Sequence, residues 1–473
     1  ARPRRAGDAQ AQVERDRRVD LGVKASKMRA RAADFAVVGL GLTGRSCVRF
    51  LRGRGATVVA MDTREEPPYA DDVRRECPEA RVLTGGLNAD ELSTCGRIIL
   101  SPGVAVDDPS LRAAHEAGVD VVGDIELFAE SARAPVIAIT GTNGKSTVTL
   151  LVAEMLEAAG IVTCCGGNLG TPALDLIQND EPEVYVLELS SFQLELTRTL
   201  APRVACILNV SPDHLDRHGS FDNYLRIKAR ILAGAEAAVM NADDPATAGL
   251  ICPGKRIDFT LRRPGTGMFG LREANSEAVL VGPAGEYAAV DELKLVGKHN
   301  VANALAAVAI CSEIGPVGPE MIRAMTSFHG LEHRAETIAE IEGVSFINDS
   351  KATNPGASRA SIEGLCSGRS GVLIAGGEHK RADFSDLANT AVRHMHTVVL
   401  IGGASERINR ALKGRIASLY ATDLHAAVSA AARLARPGEV VLLSPGCASF
   451  DMFDDYRHRG RVFRQAVEEL RVR

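Results

Sequence analysis

Ala138-Ile139-Thr140-Gly141-Thr142-Asn143-Gly144-Lys145-Ser146-Thr147 joins an apolar run, Val136 to Ile139, to an apolar-periodic segment, Val148 to Ala159. That order predicts a strand, a glycine turn and the start of a helix. Two glycines let backbone N–H groups close around an anion, and a helix N-terminus adds partial positive charge. Lys145 supplies a full charge, and the Ser146 or Thr147 hydroxyl suits Mg²⁺. The pattern departs from a full Walker A sequence, because Ile139 stands five positions before Gly144 where that motif has glycine. Gly-Lys-Ser-Thr at a helix start is nevertheless hard to explain by packing alone.

Working outward, the loop sits in a chain of 473 residues, long enough for about three domains of ~150 residues. The 10 cysteines include no Cys-x-x-Cys pair and mostly lie in apolar segments, so neither a disulfide frame nor a zinc site is expected. No apolar run approaches the ~20 residues of a membrane span, so a cytoplasmic protein with no membrane contact is expected. A net charge of -5 offers no general attraction for nucleic acid. Local cations such as Lys145, Arg334, Lys351 and Lys380 leave anionic small molecules open. Residues 1–33, rich in Arg and Ala, read as a disordered or vestigial basic extension.

From Phe35 the pattern becomes α/β. Phe35 to Val38 reads as a buried strand, and Gly39-Leu40-Gly41-Leu42-Thr43-Gly44 fits G-x-G-x-x-G before a helix through about Gly55. A second strand, Thr57 to Met61, ends in Asp62, which is the order of a Rossmann unit. Taken alone this suggests an NAD-dependent oxidoreductase, although the glycines report only close approach of backbone to a diphosphate. Strands at Arg97 to Leu100 and Val119 to Val122 complete a first domain, 34–125.

A central domain, 126–330, has predicted strands at Val136 to Ile139, Val184 to Leu187, Ala205 to Val210 and Ala237 to Met240, implying a parallel sheet with helices on both faces. Ligands gather beyond the carboxyl ends of such strands. Glu188 follows one strand, and Asp213-His214-Leu215-Asp216 follows another. Lys228 lies on a predicted amphipathic helix, Tyr224 to Leu232, where an exposed snorkelling amine is the default expectation. Asn300 and Asn303 share a face of an alanine-rich helix, with amides able to read a base or cap the helix. A third α/β domain, 331–473, has predicted strands at Val344 to Asn348, Gly371 to Ala375, Val398 to Ile401 and Val440 to Leu443. Three units with their own ligand edges point to a multi-substrate reaction at their junction.

Together Thr140 to Thr147, Glu188 with Ser190-Ser191, the His214 segment, His299-Asn300 with Asn303, and His333-Arg334 resemble the ATP-dependent Mur ligases and their folylpolyglutamate synthetase relatives. Gly39 to Gly44, Asn348-Asp-Ser-Lys-Ala-Thr-Asn354 and Leu443-Ser-Pro-Gly-Cys-Ala-Ser449 are similar to the D-glutamate-adding branch. The resemblance spans about residues 35 to 470. It implies three domains, Rossmann-like, P-loop NTPase-like and Rossmann-like. It also implies a carboxylate–amine ligase acting on UDP-N-acetylmuramoyl-L-alanine and D-glutamate. ATP would activate the alanyl carboxylate as an acyl phosphate, so the chemistry calls for positioning and charge neutralisation with no protein nucleophile. A sibling ligase using another amino acid is the alternative, and a monomer is expected.

By the same resemblance Gly141 to Thr147 cradle the ATP phosphates, with Lys145 on them. Ser146, Glu188, His214 and Lys228, the last as a carbamate, attend two Mg²⁺ sites. Asn300, Asn303, Arg334 and Asp349 match ATP positions. Lys351, Thr353, Lys380, Ser449, Phe450 and Tyr456 match the D-glutamate end. Leu42, Thr43, Asp62, Thr63, Arg64, Ser101 and Gly103 match a uridine-diphosphate pocket, and Asn168 a substrate contact. Two departures stand out: Glu378-His379 where better-known members have Asp-Gly, and Tyr456 where Phe is common.

Overall fold

The computed structural model describes residues 33–471 apart from 178–179, 275–276, 296, 331, 367–369 and 379–381. The arginine-rich residues 1–32 and the expected site residue Lys380 therefore lie outside the described residues.

The first sheet is built from β1 (Phe35–Val38), β2 (Val58–Met61), β3 (Arg81–Leu83), β4 (Arg97–Leu100) and β5 (Asp120–Val122), in the order β3-β2-β1-β4-β5 and all parallel. β1, β2 and β4 are buried along their whole length, which explains the apolar runs of β1 and β2 and the apolar Ile98 to Leu100 of β4, whose Arg97 is paired with Asp120 and Glu130. Glycine is required where β1 turns into the helix Leu42–Gly53: a Cβ on Gly44 would lie 1.8 Å from the Gly39 carbonyl oxygen.

The central sheet contains β6 (Val136–Thr140), β7 (Thr163–Gly167), β8 (Val184–Glu188), β9 (Val204–Ile207), β10 (Ala237–Asn241) and β11 (Lys255–Phe259), ordered β11-β10-β9-β6-β8-β7 and again parallel. β6, which feeds the phosphate loop, lies between β9 and β8, so residues leaving all three strands meet at one edge. β9 stops earlier than the apolar pattern predicts. Leu208 to Val210 leave the strand because Asn209 bonds the phosphate loop: its carbonyl accepts from Thr142 N, its Oδ1 accepts from Asn143 N, and Asp244 takes Val210 N. The expected helix Tyr224 to Leu232 runs instead from Phe221 to Ala229, capped by Ser220, and tightens into a 3₁₀ turn over Arg230–Leu232.

β12 (Gly270–Ala274), β13 (Glu277–Gly282) and β14 (Gly285–Ala289) form a small antiparallel sheet. The alanine-rich helix Lys298–Ser312 packs against the helix Lys145–Ala158 in the same buried core as the central sheet. The third large sheet uses β15 (Glu336–Ile341), β16 (Val344–Asn348), β17 (Gly371–Gly376), β18 (Thr397–Ile401), β19 (Ala417–Tyr420) and β20 (Val440–Leu443), ordered β15-β16-β20-β17-β18-β19. Only its edge strand β15 pairs antiparallel. All ten cysteines are free. Among the described residues, no helix is long and apolar enough to cross a membrane.

Candidate active site

Gly141 and Gly144 take φ values of 156° and 83° as the loop leaves β6, and Gly144 stands directly before the helix Lys145–Ala158. A side chain on Gly144 would meet Asn303 Oδ1 at 2.6 Å, so the loop is packed against the helix carrying Asn300 and Asn303. Those two amides are buried and joined, Asn303 Nδ2 donating to Asn300 Oδ1 at 3.0 Å. Lys145 Nζ folds back onto its own loop, donating to the Gly141 and Thr142 carbonyls at 2.9 and 3.0 Å. Burial lowers its ammonium pKa, an effect that Glu188 opposes and Arg334 reinforces.

Glu188 ends β8 and is buried. Burial alone would raise its carboxyl, but Lys145, the Ser146 hydroxyl, Asn168 and Arg334 together hold it below the ordinary value. One oxygen accepts from Asn168 Nδ2 at 2.5 Å, and Oε2 is buried without a hydrogen-bond partner among the described residues. Across the cleft, Arg334 Nη2 donates to Ser146 Oγ at 2.8 Å, so the third unit touches the phosphate loop directly.

Lys228 overturns the snorkelling expectation. It is 1% exposed and donates to the Gly141 carbonyl at 2.8 Å and to Thr140 Oγ1 at 3.3 Å. Burial, aided by Lys145, pushes its pKa well below that of a free lysine. Its Nζ also lies 4.9 Å from the Tyr224 ring centroid. His214 adopts the left-handed region, φ 51°, at the start of the short helix Leu215–His218. Its N–H donates to Asp213 Oδ1 at 2.9 Å, and its ring meets Phe192 edge-on at 4.9 Å.

Three cavities share these walls. A cleft of about 330 Å³ is bounded by Lys145, Ser146, Glu188, His214 and Lys228 from the central unit, facing Arg334, Lys351, Thr353, Ser449, Phe450 and Tyr456 from the third. A second cavity, about 670 Å³, is lined by Asn143, Gly144, Thr147, Asn300, Asn303, Arg334 and Asp349. The third, about 610 Å³, lies between the first and central units and takes Leu42, Thr43, Asp62, Thr63, Arg64, Ser101, Gly103 and Asn168. Asn143, Gly144, Arg334 and Lys351 are common to the first two, and Asn168 is common to the first and third. Every expected site residue among those described is thus at one of these cavities except Gly141, which lies behind the loop under Lys145 and Lys228.

The dinucleotide reading gives no role to the phosphate loop or the two cavities beside it. Asp62 would have to receive ribose hydroxyls. Its oxygens instead accept from Leu40 N at 2.7 Å, from Arg64 N and Nε at 2.9 Å each, and from Arg64 Nη2 at 2.7 Å.

Several contributors carried no assigned role in the sequence. Asn354 Nδ2 reaches Asn143 Oδ1 at 3.3 Å and Asp213 Oδ2 at 3.2 Å, spanning two units. The signal available was an N-cap before Pro355, which fixed its helix position and said nothing of its partners. Tyr224 Oη contacts Thr142 Oγ1 at 3.2 Å. Arg459, fully buried, donates to the Ser350 hydroxyl and carbonyl and to the Cys447 and Ala448 carbonyls, tying the loop after β16 to the loop after β20. Burial draws its guanidinium down to about 10, so it stays charged at neutral pH. Replacing it strands several buried acceptors, each worth about 1–3 kcal/mol. Arg459→Met should therefore lower unfolding stability by roughly 3 kcal/mol, read from the urea midpoint, and an unchanged midpoint would rule the tie out. At the departure from the family pattern, Glu378 pairs its backbone with Ala448, and His379 lies outside the described residues.

A phosphate loop at the junction of three α/β units, with a ligand cavity on either side, defines a nucleotide-using enzyme that brings separate substrates together. Family models match over residues 33–123 (Mur ligase MurD-like, N-terminal domain), 139–311 (Mur ligase middle domain) and 333–447 (Mur ligase, glutamate ligase domain). The chain belongs to the Mur ligase family. It is 49% identical over 437 residues to the UDP-N-acetylmuramoylalanine--D-glutamate ligase of Pseudomonas syringae pv. syringae, covering 92% of this chain and 97% of that one. It is 45% identical over 441 residues to the protein of the same name from Nitrosococcus oceani, covering 93% and 97%. Its fold is similar to that of the UDP-N-acetylmuramate-alanine ligase MurC of Thermotoga maritima, with a TM-score of 0.61 at 20% identity over 92% of this chain and 99% of that one.

Proposed function

We propose that this chain is an ATP-dependent carboxylate–amine ligase that adds D-glutamate to UDP-N-acetylmuramoyl-L-alanine in peptidoglycan precursor synthesis. The observation that carries this reading is the shared walls of the three cavities: a nucleotide on one side and a nucleotide sugar on the other would both reach the central cleft. Similarity to relatives named for this reaction supports the choice of amino acid. In this reading residues 34–125 hold the uridine-diphosphate end, 126–330 the ATP phosphates and 331–473 the D-glutamate, in a cytoplasmic monomer.

The residues fit Mg²⁺. Among the described residues no three His, Cys, Asp or Glu side chains gather as a complete metal cage. Mg²⁺ does not need one, since it commonly takes one or two carboxylates with substrate phosphates and water. Ser146, His214 and the unpartnered oxygen of Glu188 supply suitable donors. Lys228 joins them only as a carbamate, and two Mg²⁺ sites belong to this proposal. The metal would neutralise phosphate charge during transfer to the alanyl carboxylate. Lys145 and Arg334 hold the transferring group's oxygens, Lys351 holds an amino-acid carboxylate, and the walls exclude water.

The test is phosphate release from ATP. It should require UDP-N-acetylmuramoyl-L-alanine and D-glutamate together, and equal release with D-glutamate omitted, or equal use of another amino acid, would reject the assignment. Dependence on pH gives a second prediction. Lys351 lies 3.9 Å over the Tyr456 ring, and burial with Arg334 beside it lowers its pKa to about 7. Above that pH the empty cleft holds a neutral amine, and carboxylate binding must take up a proton. The KM for D-glutamate should therefore rise by up to about tenfold per pH unit above pH 7, relative to Lys351→Arg, which stays charged. Parallel profiles for the two proteins would remove this role from Lys351.

A further inference from the structure

The first and central units meet at a side chain with no role in the chemistry above. Arg217 is the third residue of the four-residue helix that begins just after His214. Its Nη1 donates to the Val104 carbonyl at 3.0 Å, and its Nη2 pairs with Glu195 Oε2 at 3.0 Å. Val104 belongs to the wall of the 610 Å³ cavity, where its N–H donates to the Ser101 carbonyl and its methyl lies where a Cβ on Gly39 would go. The guanidinium lies 5.6 Å from the Phe192 ring centroid. That ring stacks on His218 at 5.3 Å and meets His214 edge-on. His218 in turn contacts Ser191 Oγ at 3.0 Å. One planar cation therefore touches the nucleotide-sugar side through a backbone oxygen and the catalytic cleft through an aromatic ring.

His214 is the element able to respond. A non-glycine residue at φ 51° is held there by its surroundings, here by the Asp213 carboxylate and by the Arg217 and His218 amides, both donating to the His214 carbonyl. A shift of the Ser101–Val104 loop would move the acceptor of Arg217, and with it the helix that fixes His214.

We propose that Arg217 is a positioning residue that couples occupancy of the nucleotide-sugar cavity to the posture of His214 in the catalytic cleft. The proposal rests on the assignment of the two cavities given above. Coupling of this kind is reciprocal: if the nucleotide sugar tightens binding of Mg²⁺–nucleotide, the Mg²⁺–nucleotide tightens the sugar by the same factor.

The experiment titrates UDP-N-acetylmuramoyl-L-alanine calorimetrically into the full chain, with and without Mg²⁺ and a non-hydrolysable ATP analogue. In the unmodified protein the second ligand should change the sugar's Kd by at least about fivefold. Arg217→Met keeps the apolar stem over Phe192 and loses both polar contacts, so its factor should fall below about twofold. Arg217→Lys should lie between the two, because an ammonium keeps charge but loses the fork. Phe192→Leu breaks the same route at the ring and should lower the factor even if the Arg217 variants fold poorly. An undiminished factor in folded Arg217→Met or Phe192→Leu overturns the coupling while leaving the cavity assignment intact. A factor of one in the unmodified protein does the same. Failure of the unmodified protein to bind the nucleotide sugar at all would overturn both.

Discussion

Lys145→Ala should lower kcat by about 10³-fold while leaving the affinity for UDP-N-acetylmuramoyl-L-alanine within about threefold of the unmodified value. The separation follows from the architecture. Lys145 is the first residue of the helix that follows the phosphate loop, and its ammonium already points over that loop. Removing it deletes the positive charge over the proposed phosphate site. The cavity proposed for the nucleotide sugar is lined by other strand ends and shares no residue with the Gly141–Thr147 loop. Single-turnover kinetics and a separate binding titration provide the check. Equal loss of sugar binding and turnover would show that the two sites are not separately held.

The second large effect is at Lys228. Burial favours its neutral amine, and a neutral amine is the form that attacks carbon dioxide to give a carbamate. Formation of that N–C bond, with loss of one proton, would turn the neutral amine behind the phosphate loop into an anion suited to Mg²⁺. Lys228→Ala should reduce kcat by about 10²–10³-fold, with partial recovery on adding formate or acetate, which can occupy the vacated space as carboxylates. Lys228→Met fills that space and should show no recovery. If Lys228→Ala stays inactive at every carboxylate concentration, or if the unmodified enzyme is indifferent to carbon dioxide, the lysine acts as an amine that braces the loop.

What the sequence revealed follows burial. β1, β4, β16 and β20 are covered on both faces or nearly so, and their mainly apolar sequences predict their positions to within a residue. β3, β15 and β19 are partly exposed edge strands, and β12–β14 form a charged antiparallel sheet. Apart from Ala278 to Val281 in β13, a short run set in a polar stretch, none presents an apolar run, and none of them is predicted from the sequence. The phosphate loop was legible because its chemistry is local: glycines, lysine and hydroxyls lie within seven positions. The environment of Lys228 was not. Its partners, Thr140 and Gly141, are 88 and 87 residues away, and helical spacing cannot distinguish a buried amine from one reaching into water. Asn354 and Arg459 are harder still, because each acts by joining segments from different parts of the chain.

Arg334 and Ser146 carry a consequence for how the enzyme rests between turnovers. Their 2.8 Å bond occupies the hydroxyl that a Mg²⁺–nucleotide would claim. Binding of a nucleotide there would have to break this contact, freeing the Ser146 hydroxyl for a metal and the Arg334 guanidinium for phosphate oxygens. The third unit thus has a mooring on the phosphate loop in the absence of substrate, one that a bound nucleotide would have to displace.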